Sequence, residues 1–313
     1  LTRIFFQTPA GDLAPDNGAV FSMTAGGERR PPWLKVRPTF GPNYMRVKNI
    51  LKTHGLHSVC QEAACPNIRE CFENGTATFL ILGKVCTRMC RFCDVISGPP
   101  GPLDPEEPAQ LARAVAELRL KQVVITSVTR DDLSDGGASV FARTIDLLRQ
   151  QDKEVKIEVL IPDMRGKQEL VETVLAARPE VFAHNVETVG RLYKRVRPGA
   201  KLVRSLEVLS MADKYTPRPI VKTGFMVGHG ETLPEIIELM NQIYQTGTQI
   251  VTVGQYLRPS EAHLPVEKYY HPDEFRQIAE IGAGIGFAHV EAGPLVRSSY
   301  KAFDQSKELL LHG

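Results

Sequence analysis

All six cysteines of this chain fall between positions 60 and 93, in two triplets. The second, Cys86-Thr-Arg-Met-Cys90-Arg-Phe-Cys93, has C-x3-C-x2-C spacing and follows an apolar run that ends at Gly83. The first, Cys60, Cys65 and Cys71, has C-x4-C-x5-C spacing. Three thiolates in one short loop can hold three irons of a cubane [4Fe-4S] cluster and leave the fourth iron open. Soft sulfur suits iron–sulfur chemistry. An open iron can bind a substrate or cofactor, whereas a cluster closed by four cysteines can only pass electrons. A disulfide scaffold would spread its cysteines along a much shorter chain. So tight a grouping in 313 residues fits metal or iron–sulfur ligation in a reducing compartment, by default the cytoplasm. A zinc site or a few core cysteines is the plainer reading of one triplet; two in succession favour two clusters.

Composition sets outer limits. Hydrophobic residues make up 42% and charged residues 24%, so an ordinary globular core is feasible. Basic residues number 38 and acidic ones 36, a net charge of +2, which gives no reason to expect nucleic acid or a membrane as partner. No apolar run approaches the length of a membrane span. Residues 1–30 are rich in Gly, Pro, Ala and Asp and read as a mobile leader without a signal-peptide pattern, with Met23 available as an internal start.

Residues 31–76 form an N-terminal extension that carries the first triplet. It opens with an extended, proline-stiffened arm over 30–36, where the only tryptophan, Trp33, staples onto the domain. Tyr44, Val47, Ile50 and Leu51 make a helical stripe within 43–54, ended by Gly55. A short helix is expected over 67–73. From residue 77 strands and helices alternate. Strands are expected at 78–82, 122–127, 156–161, 181–186, 221–227 and 250–256. Helices are expected at 108–119, 138–150, 167–177, 202–215, 233–246 and 272–281. Six βα units in succession argue for an α/β fold with a parallel sheet and right-handed crossovers. A curved, open (β/α)6 partial barrel over 77–284 fits the count, with functional residues at the C-terminal ends of its strands. Residues 285–313 form a C-terminal extension whose first part, 287–292, is strand-like.

The spacing of Cys86, Cys90 and Cys93 resembles the signature of the radical S-adenosylmethionine (SAM) enzymes, whose usual core is such a partial barrel. The two triplets together resemble the lipoyl synthase family. That resemblance continues through Thr126-Ser-Val-Thr-Arg-Asp-Asp-Leu-Ser-Asp-Gly-Gly-Ala138, Glu158-Val-Leu-Ile-Pro-Asp163, His184-Asn-Val-Glu-Thr188 and Arg195-Val-Arg-Pro-Gly199. It continues further through Lys222–Glu231, Gln255-Tyr-Leu-Arg-Pro259 and Arg297-Ser-Ser-Tyr-Lys-Ala302, and covers roughly residues 30 to 304. Thr223 and His229 depart mildly from the pattern.

What the resemblance implies is a sulfurtransferase of lipoate biosynthesis with two [4Fe-4S] clusters. The cluster on Cys86, Cys90 and Cys93 binds SAM and cleaves it to a 5′-deoxyadenosyl radical. The auxiliary cluster on Cys60, Cys65 and Cys71 donates two sulfurs, to C6 and C8 of an octanoyl chain on a carrier-protein lysine. A serine of the C-terminal motif supplies its fourth ligand: Ser299, with Ser298 the neighbouring choice and Arg297 and Tyr300 completing the motif. The carrier would be an octanoylated lipoyl domain or a glycine cleavage H-type protein. The electron donor would be of ferredoxin or flavodoxin type. A biotin-synthase-like enzyme is the nearest alternative, but it lacks the upstream triplet and the Arg-Ser-Ser-Tyr end.

Strand-end polar groups are the candidates for SAM: Thr126, Ser127 and Asp132 after the second strand, Glu158 on the third, Asn185 and Glu187 on the fourth. Carboxylates there suit ribose hydroxyls. Phe92 can cover the cluster or simply fill the barrel mouth. Arg197 reads as a solvated or structural pair. The glycine-rich stretch after Val227 lacks the Lys-Ser/Thr of a phosphate loop. The first triplet and the C-terminal motif are expected to meet above the barrel mouth, within reach of the Cys86 loop.

Overall fold

The computed structural model describes residues 30–36 and 41–312. The leader therefore lies outside the described residues, apart from Arg30. The arm at 30–36 is not extended: Pro32–Leu34 forms one 3-10 turn, closed by the Leu34 N–H on the Pro31 carbonyl at 3.0 Å. Leu34 is buried, and Trp33 packs edge-on against His271 at 4.8 Å, so the arm is stapled to the domain.

α1 (Pro42–Thr53) carries the predicted stripe, with Val47, Ile50 and Leu51 buried. Two short helices follow, α2 (Val59–Glu62) and α3 (Ile68–Glu73). Between α1 and α2 lies β1 (His57–Ser58), which pairs antiparallel with β2 (Thr78–Ile81). The predicted strands are present as β2, β3 (Gln122–Ser127), β4 (Lys156–Leu160), β5 (Val181–Ala183), β6 (Ile220–Val227) and β7 (Ile250–Gln255), all parallel. β8 (His289–Gly293) joins β7 in parallel, so the sheet continues past the six expected units into the C-terminal extension. Among the described residues eight strands lie in sequence order with β1 and β8 at the edges, which leaves the barrel partial and open.

The crossovers are α4 (Glu107–Leu118), α5 (Ala138–Gln151), α6 (Gln168–Ala176), the one-turn α7 (Tyr193–Val196) with α8 (Leu202–Lys214), α9 (Leu233–Tyr244) and α10 (Pro272–Ile285). α9 shows why they dock: Ile236, Leu239, Met240 and Ile243 form one buried stripe along its sheet-facing side. No helix among the described residues is long and apolar enough to cross a membrane.

Residues in register share a face of the sheet. One row runs through Leu80, Thr126, Leu160, Ala183, Lys222, Ile250 and His289, and lines the inside of the partial barrel. Their neighbours Val123, Ile157, Val159, Phe182, Val221, Val251 and Val253 are wholly buried under the helices. Beyond β8 the chain folds back onto the inner face of β6 and β7. A Cβ on Gly254 would overlap the Val296 carbonyl oxygen, and one on Gly224 would lie 3.5 Å from the Ser298 Cβ. Glycine is what lets a second backbone approach so closely. α11 (Ala302–His312) then reaches the start of β3, where Ser306 Oγ lies 3.4 Å from Gln122 Oε1.

Gly254→Ala should therefore unseat the tail. Because its steric partner is backbone, we expect a loss of about 1–3 kcal/mol, read as a lower Tm, and faster proteolysis after Val296. Gly101→Ala, with nothing within 4 Å of its added Cβ, should leave both measurements unchanged.

Candidate active site

The chain leaves β2 through Leu82 and Gly83, both at positive φ (68° and 84°), a turn that glycine adopts at no steric cost. The cysteine loop that follows is tied down on several sides. Cys86 N–H donates to the Ile96 carbonyl at 2.8 Å, and Gly98 N–H donates back to Cys86 at 2.9 Å. Thr87 N–H reaches the Thr129 carbonyl after β3, and Arg91 N–H reaches Val196 at the end of α7. His263 Nε2 lies 3.1 Å from the Cys93 carbonyl oxygen. Cys86 Sγ accepts the backbone N–H groups of Arg88 at 3.4 Å and Thr129 at 3.3 Å. Burial pushes the thiols of Cys90 up to about 11 and Cys93 up to about 12, and the nearby sulfurs of the triplet add to the rise. Thiols become thiolates when a metal binds them.

The first triplet obeys the same chemistry at the other end of β2. His57 pairs with Leu80 and Ser58 with Phe79, so the chain leaving β1 runs toward Thr78. Cys60 is buried there and hydrogen-bonds with Thr78. Cys65 N–H donates to the Cys60 carbonyl, and the Cys71 carbonyl accepts from both Thr76 N–H and Thr76 Oγ1. Burial, then the charge of the neighbouring sulfurs, pushes Cys60 up to about 11 and Cys71 up to about 12. Among the described residues no three His, Cys, Asp or Glu side chains converge on a single metal ion.

The two triplets thus sit at opposite ends of β2, separated by a strand of about 13 Å at roughly 3.3 Å per residue. This corrects the expectation that the first triplet lies above the mouth beside the Cys86 loop; the tail reaches from that triplet to Gly224 and Asn185 at the strand ends. The antiparallel run of β1 carries the first triplet the other way. The tail does meet it there. Asn67 Nδ2 donates to the Leu295 carbonyl at 2.6 Å, and Tyr300 Oη donates to Glu70 Oε1 at 2.9 Å. Arg297 is half-buried; burial works against its charge and the Cys65 sulfur favours it. Ser298 lies against Gly224, where the Asn185 side chain also approaches, while Tyr300 turns toward α3. Ser299 lies between these two anchors.

The SAM candidates divide. Ser127 Oγ and Asn185 Oδ1, at strand ends, are buried and have no hydrogen-bond partner among the described residues, which fits a polar ligand in the mouth. Glu187 (φ 70°) is hydrogen-bonded by Asn185; burial raises its pKa and Arg197 opposes the rise. It lies close enough to influence both Cys90 and Cys93. Arg197 is buried rather than solvated, with Nη1 on the Asn185 carbonyl at 3.0 Å and its charge beside Cys90. Phe92 is half-buried against the core. Thr126 spends its hydroxyl hydrogen on the Leu160 carbonyl at 2.9 Å. Two expectations fail. Asp132 is gripped by Arg130, at 2.9 Å to Nε and 2.8 Å to Nη2, and faces solvent. Glu158 is midway along β4 and is sealed by Lys222 Nζ at 2.7 Å and Gln122 Nε2 at 3.1 Å, an internal ion pair.

The radical SAM superfamily model matches residues 80–243, and the model of the N-terminal domain of lipoyl synthase matches residues 16–65. A lipoyl synthase from Rubrobacter xylanophilus is 50% identical over 300 residues, 96% of this chain and 94% of that protein. One from Azotobacter vinelandii is 51% identical over 279 residues, 89% of this chain and 86% of that protein. The chain belongs to the lipoyl synthase family of the radical SAM superfamily. Among solved structures, methylornithine synthase superposes with a TM-score of 0.51 at 13% identity, covering 84% of this chain and 86% of that one. The FeFe-hydrogenase maturase HydG from Carboxydothermus hydrogenoformans gives 0.52 at 14% identity, covering 74% and 65%. These two share the fold alone. Family membership implies a [4Fe-4S] cluster and SAM, and the Cys86 loop has the donor set for such a cluster.

Sequence reasoning missed Arg88, Asp131 and Asp163, which brace the cysteine loop. The signal was an arginine between two cysteines of the loop and acidic residues just past two strands. Lys222→Met should strand the Glu158 charge in the interior and cost about 3–5 kcal/mol, measured by urea unfolding. Where the variant is folded, its KM for SAM should match the parent; a large rise would return Glu158 to the SAM site.

Proposed function

We propose that this chain inserts two sulfur atoms, at C6 and C8, into the octanoyl chain on a carrier-protein lysine, and so forms the lipoyl group. The observation that carries this reading is the pair of cysteine triplets at opposite ends of β2, bordering one barrel interior. A radical site and a sulfur site must both reach the same alkyl carbons, and an interior between them permits that. When bound, the two clusters and SAM supply a hydrogen-abstracting radical at one end and sulfur at the other. An unactivated C–H bond yields to such a radical and not to acid–base chemistry.

The chain's own residues then bind, orient and exclude water. Cys86, Cys90 and Cys93 hold the SAM cluster; Ser127, Asn185 and Glu187 hold SAM, with Phe92 and Thr126 beside them. Leu80, Leu160 and Ala183 on the inner face offer an apolar wall to the octanoyl chain. Water exclusion and positioning, rather than a general base, govern hydrogen abstraction. Cys60, Cys65 and Cys71 hold the auxiliary cluster, and Ser299 is its fourth ligand. A serine oxygen holds iron less firmly than thiolate does, which suits a cluster that gives up its sulfur. The partners are an octanoylated lipoyl domain or a glycine cleavage H-type protein and a ferredoxin- or flavodoxin-type donor, in the cytoplasm.

The test is anaerobic turnover of an octanoyl-lysine peptide with SAM and reductant, followed by mass spectrometry. Two added sulfurs are expected; deoxyadenosine without any sulfur-bearing peptide would refute the reading. Cys65→Ala should lower bound iron from about eight to about four per chain, keep SAM cleavage and abolish product. Full product from that variant would sink the division of labour between the triplets.

A further inference from the structure

Arg88 lies between two cysteines of the SAM-cluster loop, yet its side chain is only 9% exposed. Its guanidinium spans two carboxylates. Nε and Nη2 donate to the two oxygens of Asp131 at 2.7 and 3.0 Å, and Nη2 also donates to Asp163 Oδ1 at 2.7 Å. Asp131 follows β3 and Asp163 follows β4, so one side chain fastens the loop after β2 to the ends of both neighbouring strands. Asp163 is wholly buried and also accepts from Arg204 Nη1 at 3.1 Å and from the Arg165 N–H at 3.1 Å. The backbone of the same residue is fixed too. Arg88 N–H points at Cys86 Sγ, and its carbonyl accepts from Ser97 Oγ at 2.9 Å. Thr87 Oγ1 adds a second tie: it donates to the Thr129 carbonyl at 2.9 Å and accepts from Asp131 N–H at 3.0 Å.

We propose that Arg88 is a positioning residue of the radical-generating site. It clamps the loop to the ends of β3 and β4, so that Cys86, Cys90 and Cys93 keep one spacing and one orientation toward Ser127, Asn185 and Glu187. The assignment rests on the reading that these three cysteines hold the SAM cluster. Its specific requirement is a planar fork. Lysine carries the same charge, but as a point donor it cannot grip Asp131 bidentately while reaching Asp163.

The test uses the full chain with Cys60, Cys65 and Cys71 replaced by alanine, reconstituted anaerobically with iron and sulfide, so that bound iron reports the Cys86 site alone. Arg88→Lys and Arg88→Met are compared with that parent by iron content, by KM and kcat for SAM cleavage, and by the change that SAM makes in the EPR spectrum of the reduced protein. Both variants should raise the KM for SAM about tenfold or more and blunt the SAM-dependent spectral change, with a smaller loss in kcat. Circular dichroism checks folding, and if the methionine variant fails to fold the lysine variant decides. Parental KM and spectrum in the lysine variant would show that charge suffices and overturn the clamp. A methionine variant indistinguishable from the parent would overturn it as well. An iron-free parent would instead overturn the cluster reading itself, and this assignment with it.

Discussion

The antiparallel pairing of β1 with β2 decides where chemistry can happen in this chain. Two residues, His57 and Ser58, set opposite Leu80 and Phe79, point the following segment toward the start of β2. The first triplet is thereby placed at one end of a strand whose other end releases the second. β2 is buried along its whole length, so its register is strongly held. Slipping it by one residue would exchange its inner and outer faces. The separation of the two sulfur sites is thus a property of a packed strand rather than of two flexible loops. For the proposed reaction this matters, because an alkyl chain must be attacked from one side and receive sulfur from the other without either site moving far.

Both sites share an electrostatic problem. Burial holds Cys60, Cys71, Cys90 and Cys93 well above the ordinary thiol range. Thiols so placed give up their protons when a metal binds them. The nearest compensation comes from arginines. Arg197 stands beside Cys90, and Arg297 beside Cys65. Arg88 also favours the Cys90 thiolate, while Asp131 and Asp163 hold its own charge despite burial.

How much of this the sequence revealed depends on the range of the interaction. The six central strands were legible because they are buried on both faces, and the helices because their stripes are long. The cysteine spacing was legible because ligands to one cluster are close in sequence. β1 was not: two residues carry no period, and its existence rests on β2 some twenty positions away. Glu158 was misread because its partner, Lys222, lies on another strand, and no local pattern distinguishes an internal ion pair from a ligand-binding carboxylate. Asp132 and Asp131 are adjacent and chemically identical. Only the fold shows that Arg130 turns the first outward while Arg88 and Arg165 hold the second. The tail was legible as a motif, but not its seat, because the glycines that receive it, Gly224 and Gly254, lie on two other strands.

The seat of the tail also accounts for the openness of the sheet. A closed eight-stranded barrel fills its interior with layers of side chains. Here the inner face carries Gly224, Gly254 and Gly293 where the segment Val296–Ser298 lies, so backbone occupies space that side chains would otherwise take. Leu295 and Tyr300, which flank that segment, are hydrogen-bonded to Asn67 and Glu70, both of which lie between Cys65 and Cys71. A displacement of the cysteine segment is therefore transmitted to the tail through two short links, and a displacement of the tail is transmitted back. If Ser299 ligates the auxiliary cluster, the same links that bring its oxygen to iron also couple its departure to the rearrangement of the cysteines.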